Sequence, residues 1–342
     1  MLLLTLLACL PKDAGPLGPA VPVLPAMEAP LYAWSNGAPP DAAVARQAQG
    51  LPWDEALSGA AAFLALSATQ GDRIDAAQAR WAAYRAGWPY PIDELVVQTV
   101  PNGEVPERPP HLTGEAFGVA RARGARGDAW VWLTSTPPAR LEPFRRELPL
   151  GHVLRLASED GQPLQVRTAA PDGTLSGASP TLDQGGEWLI ELSAKGRTWV
   201  VPIYVDGLTP ADAPYPRVLD APQGTHEATA QALEVVDEIR ATFDAPSLER
   251  DPMLDKAAAR ALEAQLQGTA LPPAPERLAK LGLTGQLYEL TCTAPTVPEC
   301  LDALYGSVVH RGELVDPSLA WIGVASSLGP NGVTLLVDLA QE

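Results

Sequence analysis

Four histidines, three cysteines and a surplus of carboxylates are the side chains of this 342-residue chain that could do chemistry. One run sets an imidazole beside a guanidinium and two acids: Ser307-Val308-Val309-His310-Arg311-Gly312-Glu313-Leu314-Val315-Asp316-Pro317, followed by Trp321-Ile322-Gly323-Val324-Ala325. An imidazole beside a guanidinium, at a helix end and before a Leu-x-Asp-Pro turn, has two uses. It can bind a ligand or metal in a cleft, or it can cap carbonyls, its cationic form suiting a helix C-terminal dipole. Arg311 could likewise anchor the following turn through Asp316. Nucleophilic catalysis finds no support. No Gly-x-Ser-x-Gly occurs, His111, His152, His226 and His310 fall in different segments, and Ser307 with His310 lacks a third group to complete a relay. No phosphate-binding glycine loop is present. Cys292 and Cys300 flank a Pro-containing loop at a spacing that suits a local disulfide, with two unpaired buried thiols as the other reading. No further Cys or His lies at ligand spacing, which argues against a zinc site.

The length predicts two or three domains, and 46% apolar residues suffice for large cores. A net charge of -17, from 41 acidic and 24 basic residues, repels phosphate backbones and excludes nucleic acid as an expected partner. Met1 to Leu7 is almost wholly apolar and runs into Leu6-Leu7-Ala8-Cys9, which resembles a bacterial lipobox with Cys9 as the lipidated residue. A start codon upstream of Met1 would supply the missing basic residues and lengthen the apolar run. The expectation is an exported, membrane-anchored lipoprotein, periplasmic or at the cell surface, with a signal at 1–9 and a Pro-rich tether at 10–40. A buried N-terminal strand is the competing use of the same residues. No other apolar stretch approaches the length of a membrane span.

The elements that would position these residues follow from periodicity. Leu57, Ala60, Ala61 and Leu64 mark a helix opened at Trp53-Asp54, and Asp75 to Ala86 forms a second one that ends at Gly87. Two strands then surround Val119 and Val131, where Trp130 and Trp132 share one face, as core packing or as an aromatic platform. From 136 to 207 only strand patterns appear, and they predict a small antiparallel, Ig-like sandwich with Pro202 on an edge strand. A Pro-rich linker, 208–224, precedes helices over Ala232–Phe243, from Asp251-Pro252, over Pro275–Leu281 and over Pro298–Val309. A hairpin across Pro330-Asn331-Gly332 closes the chain.

The first and last segments share a pattern. Asp54-x-x-Leu57-x-x-Ala60-Ala61-Ala62 matches Asp251-x-x-Leu254-x-x-Ala257-Ala258-Ala259, and Gly118-Val119-Ala120 with Gly124 and Gly127 matches Gly323-Val324-Ala325 with Gly329 and Gly332. In an Ala-rich chain the helix motif alone could be coincidence. The glycine spacing sets turn position and hairpin length, and with it the pattern predicts a duplication. The first copy has no counterpart of His310-Arg311.

From about Glu227 to Leu339 the chain resembles the CAP superfamily (cysteine-rich secretory protein, antigen 5 and pathogenesis-related proteins) in its bacterial, degenerate form. The resemblance rests on the Ser307 to Pro317 run before a Gly-Val strand. It rests also on Val236 to Arg240 with Leu248 to Arg260, and on Glu276-Arg277-Leu278 with Gly282. Tyr288-Glu289-Leu290 falls where the family has Gly-Glu-Asn. The resemblance implies a C-terminal α-β-α sandwich at 225–342; with the Ig-like unit at 136–207 and, from the repeat, a degenerate α+β CAP-like copy at 41–135, the expectation is an α/β multidomain chain. Of the family's two-His, two-acid cleft only Glu289 and His310 can be placed, and the stretch from Gln265 to Leu271 holds no histidine. Two ligands are too few for a tight metal site. Glu289 could instead hydrogen-bond backbone beside His310. The expectation is therefore a non-enzymatic protein without cofactor or metal. It would bind a hydrophobic ligand or an envelope protein, or serve a structural role. The alternative is a metal-assisted hydrolase using Glu289 and His310.

Overall fold

The computed structural model describes residues 31–34, 39, 41–72, 74–177, 179–207 and 221–341. The expected signal, Cys9, most of the tether and most of the 208–224 linker lie outside the described residues.

In chain order the elements of the first unit are β1 (Leu31–Tyr32), α1 (Ala42–Ala48), α2 (Glu55–Gln70), α3 (Ala76–Ala86), β2 (Glu94–Val100), β3 (Ala116–Gly124) and β4 (Gly127–Ser135). The central unit holds β5 (Phe144–Arg145), β6 (Glu147–Leu148), β7 (Gln165–Ala169), β8 (Leu175–Ser176), β9 (Gly186–Ala194) and β10 (Arg197–Val205). The last unit holds α4 (Thr225–Thr242), β11 (Glu249–Arg250), α5 (Pro252–Leu266), α6 (Ala274–Ala279), β12 (Leu287–Ala294), α7 (Val297–Tyr305), α8 (Val308–Val315), β13 (Leu319–Gly329) and β14 (Gly332–Gln341).

The helices start where aspartates supply caps. Asp54, Asp75 and Asp251 each accept backbone N–H bonds of the first turn, and Gly71 and Gly87 close α2 and α3 in the left-handed conformation. The apolar stripe of α2 packs on β3 so tightly that a Cβ on Gly118 would lie 2.5 Å from the backbone of Leu57. The last unit does the same: a Cβ on Gly323, in β13, would lie 2.3 Å from the backbone of Leu254 in α5.

The correspondence between the two ends continues through the sheets. The first is ordered β2-β4-β3 and the last β11-β13-β14-β12, so β4 and β14, each the second arm of a hairpin closed by two glycines, both lie between two strands. Gly124 pairs with Gly127 and Gly329 with Gly332, and Gly127 and Gly332 both have positive φ, which the turn requires. Gly118 faces Leu133, and Leu133 faces Leu95; at the same offsets Gly323 faces Asp338, and Asp338 faces Glu289. Even the helix entry agrees, with the Asp54 amide donating to Phe117 O and the Asp251 amide to Ile322 O, both at 2.9 Å.

Helices cover both faces of the last sheet. Leu290, Leu335, Val337 and Leu339 face α4, α7 and α8, while Leu336 and Ala340 pack with residues of α5 and α6. In the first unit α2 and α3 cover one face, and α1 lies on the other beside the stacked, fully buried Trp130 and Trp132. Those indoles are core, not a platform. Where the last unit places α7 and α8, the first has only the loop 101–115.

The central unit differs from the expected sandwich. It forms one five-stranded sheet, β6-β10-β9-β7-β8, in which β6 and β10 run parallel, while β5 pairs with β1 of the first unit. Its strands alternate for a different reason than a second sheet. One face (Trp188, Ile190, Leu192, Val201, Ile203) joins the core of α2, α3, Trp88 and Tyr90, and the other (Ala169, Leu189) packs against Val308 of α8. His152 to Leu156, expected as a strand, contributes one isolated bridge at Val153. Pro202 pairs with Leu189 on one side only, since β6 joins β10 at Tyr204 and Val205.

Replacing Gly323 with Ala forces the α5–β13 contact apart. We expect a loss of roughly 1–3 kcal/mol in chemical denaturation, with Gly118→Ala costing a similar amount.

Candidate functional site

The segment Pro298–Val309, expected as one helix, is two. α7 ends at Tyr305, and Ser307 caps α8, accepting the amide of His310 at 3.5 Å. His310 therefore sits in the first turn of α8, at the end of the dipole that disfavours an imidazolium. It caps no helix C-terminus. Half-buried against the central sheet, it has its pKa lowered by desolvation, with the carboxylate of Glu191 in β9 acting the other way.

Arg311 does not reach Asp316. Its guanidinium is fully buried, donates to Glu187 Oε1 of β9 at 2.6 Å and to the Tyr305 carbonyl at 3.1 Å, and lies over the Tyr305 ring at 3.7 Å. Tyr305 also donates its hydroxyl to Glu187 at 2.9 Å. Tyr204, on the same face of β10, has its pKa raised by burial and by this carboxylate. The turn after α8 is held by Arg240 of α4, which donates to the carbonyls of Leu314 at 2.9 Å and Asp316 at 3.1 Å. Backbone closes the junction further: Gly312 of α8 lies against Gly173 in the β7–β8 turn, where a Cβ on Gly173 would come within 2.5 Å. Arg80 of α3 pairs with Asp302 of α7, so α7 touches the first unit as well. The most motif-like run in the chain thus packs into the seam between the last and central units, with Val308 and Arg311 buried in it.

Glu289 lies elsewhere. Its neighbour Leu290 faces α7 and α8, so Glu289, one residue along the strand, points to the α5 and α6 side. The structure does not bring Glu289 and His310 together; they occupy opposite sides of the sheet. Glu289 pairs with Arg277 of α6, and both line a cavity of about 310 Å³ together with Ala261, Gln265, Thr269 and Pro272.

Asp338 was not among the residues singled out from sequence. It is fully buried directly across from Glu289, and neither carboxylate oxygen has a hydrogen-bond partner among the described residues. Burial and the neighbouring Glu289 raise its pKa to about 7, against the pull of Arg277. A signal for it existed: one acid within the otherwise apolar run Leu335-Leu336-Val337-Asp338-Leu339-Ala340. Cys292 of β12 and Cys300 of α7 form the disulfide, with Cα atoms 5.4 Å apart, tying α7 to the sheet. Among the described residues no three His, Cys, Asp or Glu side chains gather as metal ligands.

No protein-family model and no curated protein matches the sequence. Solved structures that are similar include an outer surface protein of Borrelia burgdorferi (18% identity over 34% of this chain and 93% of that one, TM-score 0.31). A cysteine-rich secretory protein of Staphylococcus aureus aligns at 12% identity over 47% and 57% of the two chains, TM-score 0.32. An extracellular protein containing a SCP domain from Bacillus anthracis aligns at 13% over 66% and 81%, TM-score 0.29. Likeness at this level identifies neither a substrate nor a site residue.

Two measurements check the site chemistry. Arg311→Ala leaves Glu187 in the seam without its ionic partner, with Tyr305 still donating to it, and should cost roughly 2–3 kcal/mol. Arg311→Lys should recover only part of that, since one ammonium cannot span Glu187 and the Tyr305 carbonyl while stacking on the ring; denaturation midpoints report both. For Asp338 the folded pKa lies above the unfolded one, so the folded state holds the extra proton between about pH 4 and 7. Stability then falls as pH rises through that window, by on the order of 4 kcal/mol, and levels off above it. Asp338→Asn should abolish that slope in unfolding curves recorded across the range.

Proposed function

We propose that this chain is an exported, non-enzymatic CAP/SCP-like protein with a binding or structural role at the cell envelope. The observation that supports this best is the seating of α8 against the central sheet. The family's ligand-bearing His-Arg helix here spends its guanidinium on Glu187 and its glycine on the β7–β8 turn. A reaction built on His310 and Glu289 would need them in one cleft, and they lie on opposite sides of a sheet. The CAP-like reading of residues 225–342 draws on the Ser307–Pro317 run and on helices covering both faces of the sheet. The matching registers support reading 41–135 as a degenerate copy produced by duplication. No helix among the described residues is long and apolar enough to cross a membrane, and the membrane link we propose is a lipid on Cys9. The partner would be a hydrophobic ligand or another envelope protein.

Mass spectrometry of the protein from its native host tests the envelope assignment: the mature chain should begin at a diacylglyceryl-modified Cys9. A mature chain that retains Met1 would remove the anchor. Calorimetric titration of zinc into the full chain tests the non-enzymatic reading, and wild type and His310→Ala should give the same, non-stoichiometric heats. One-to-one binding lost in both His310→Ala and Glu289→Ala would restore the metal-assisted alternative.

A further inference from the structure

Three residues of α8 seat the last unit on the central sheet. Val308 packs with Ala169 and Leu189, Arg311 reaches Glu187, and Gly312 lies against Gly173. His310 falls between them in the chain, in the first turn of the helix, and no hydrogen bond joins its ring to the described residues. Burial and the positive end of the helix dipole both disfavour an imidazolium there. The carboxylate of Glu191 in β9 favours one, but it is shared: Arg167 of β7, paired with it across the strands, approaches to 3.8 Å and brings a positive charge to the same sheet face. The other charged groups around α8 are engaged. Glu187 accepts from Arg311 and Tyr305, Asp172 in the β7–β8 turn accepts from the Thr174 amide and Gln184, Asp302 of α7 pairs with Arg80, and Arg240 of α4 holds the Leu314 carbonyl. Glu313, one turn along α8, is half-buried and has its pKa raised by desolvation, so its own proton acts in the opposite sense.

We propose that His310 makes this seam acid-sensitive: on acidification the imidazole takes a proton that the docked helix disfavours, α8 lifts from the central sheet, and the apolar face around Ala169, Leu189 and Val200 opens. Because the docked ring has a pKa below the ordinary histidine value, an undocked α8 binds the proton more tightly. Docking is at full strength above that ordinary value and weakens as pH falls below it toward the docked pKa. Asp338 acts elsewhere and with the opposite sign, stabilising the last sheet as pH falls. The device does not rest on the envelope reading.

Native-state hydrogen exchange of the full chain, corrected for the intrinsic rate at each pH, tests the proposal. Between about pH 7.5 and about pH 5.5 the amides of α8 and β9 should lose roughly threefold or more of their protection, while those of β4 keep theirs. His310→Gln should abolish the loss. Glu191→Gln, which removes the attraction for the imidazolium, should enlarge it, and Glu313→Gln, which removes the opposing proton, should not diminish it. His310→Lys, charged throughout, should show at the higher pH the weak seam protection that the wild type shows only in acid. Seam protection that stays constant with pH in the wild type would overturn the proposal, as would an undiminished loss in His310→Gln.

Discussion

Both end units depend on one constraint: a helix backbone lying directly on a strand glycine. Gly118 under Leu57 and Gly323 under Leu254 leave no room for a side chain. That contact fixes the height of the helix above the sheet and the face each strand residue takes. The capping aspartates Asp54 and Asp251 set where each helix begins, and their amides bond to the strand just before the glycine. Once helix start and strand register are tied together in this way, every other position in the unit is determined by counting. The correspondence of Leu133 with Asp338, each opposite the glycine of its unit, is meaningful only because of it.

The central sheet solves a different problem. A single sheet with apolar residues on both faces must be covered on both, and here the cover comes from its neighbours rather than from a second sheet. The first unit supplies α2, α3 and an aromatic cluster around Trp88 and Tyr90, and the last supplies α8. Most polar contact across the second seam converges on Glu187, which accepts from Arg311 and Tyr305. A half-buried carboxylate that accepts from a guanidinium and a hydroxyl is specific in direction as well as favourable in energy, so it orients α8 while the apolar contacts around Val308 exclude water. The price of this orientation is the freedom of His310, whose ring is left half-buried against Glu191.

Much of this was legible in the sequence, and the limits have physical causes. Asp-x-x-Leu-x-x-Ala and the glycine spacing located α2, α5 and both hairpins because capping and positive φ are local requirements. The Cys292–Cys300 pairing was equally local. Alternation in Glu187 to Val205 gave the right strands but the wrong partner layer, since a period of two says that a face is buried and not what buries it. The helix break at Gly306-Ser307 was missed because the apolar run continues through it, and that single break moved His310 from a helix end to a helix start. Glu289 and His310 were paired by family resemblance. Which face Glu289 occupies follows from the β12–β14 register, a long-range property that no window of sequence contains.

The register also makes Asp338 the least expected residue in the molecule. Satisfied polar groups are the rule in protein interiors, and an apolar pair at the same position is demonstrably compatible with this fold, as Leu95 and Leu133 prove in the first unit. In the last unit Ala261, Glu289 and Asp338 stand where the first unit has Leu64, Leu95 and Leu133, which lowers apolar burial there and adds a cost of desolvation. The Gly323 contact and the disulfide that ties α7 to β12 hold the last unit together around these polar positions.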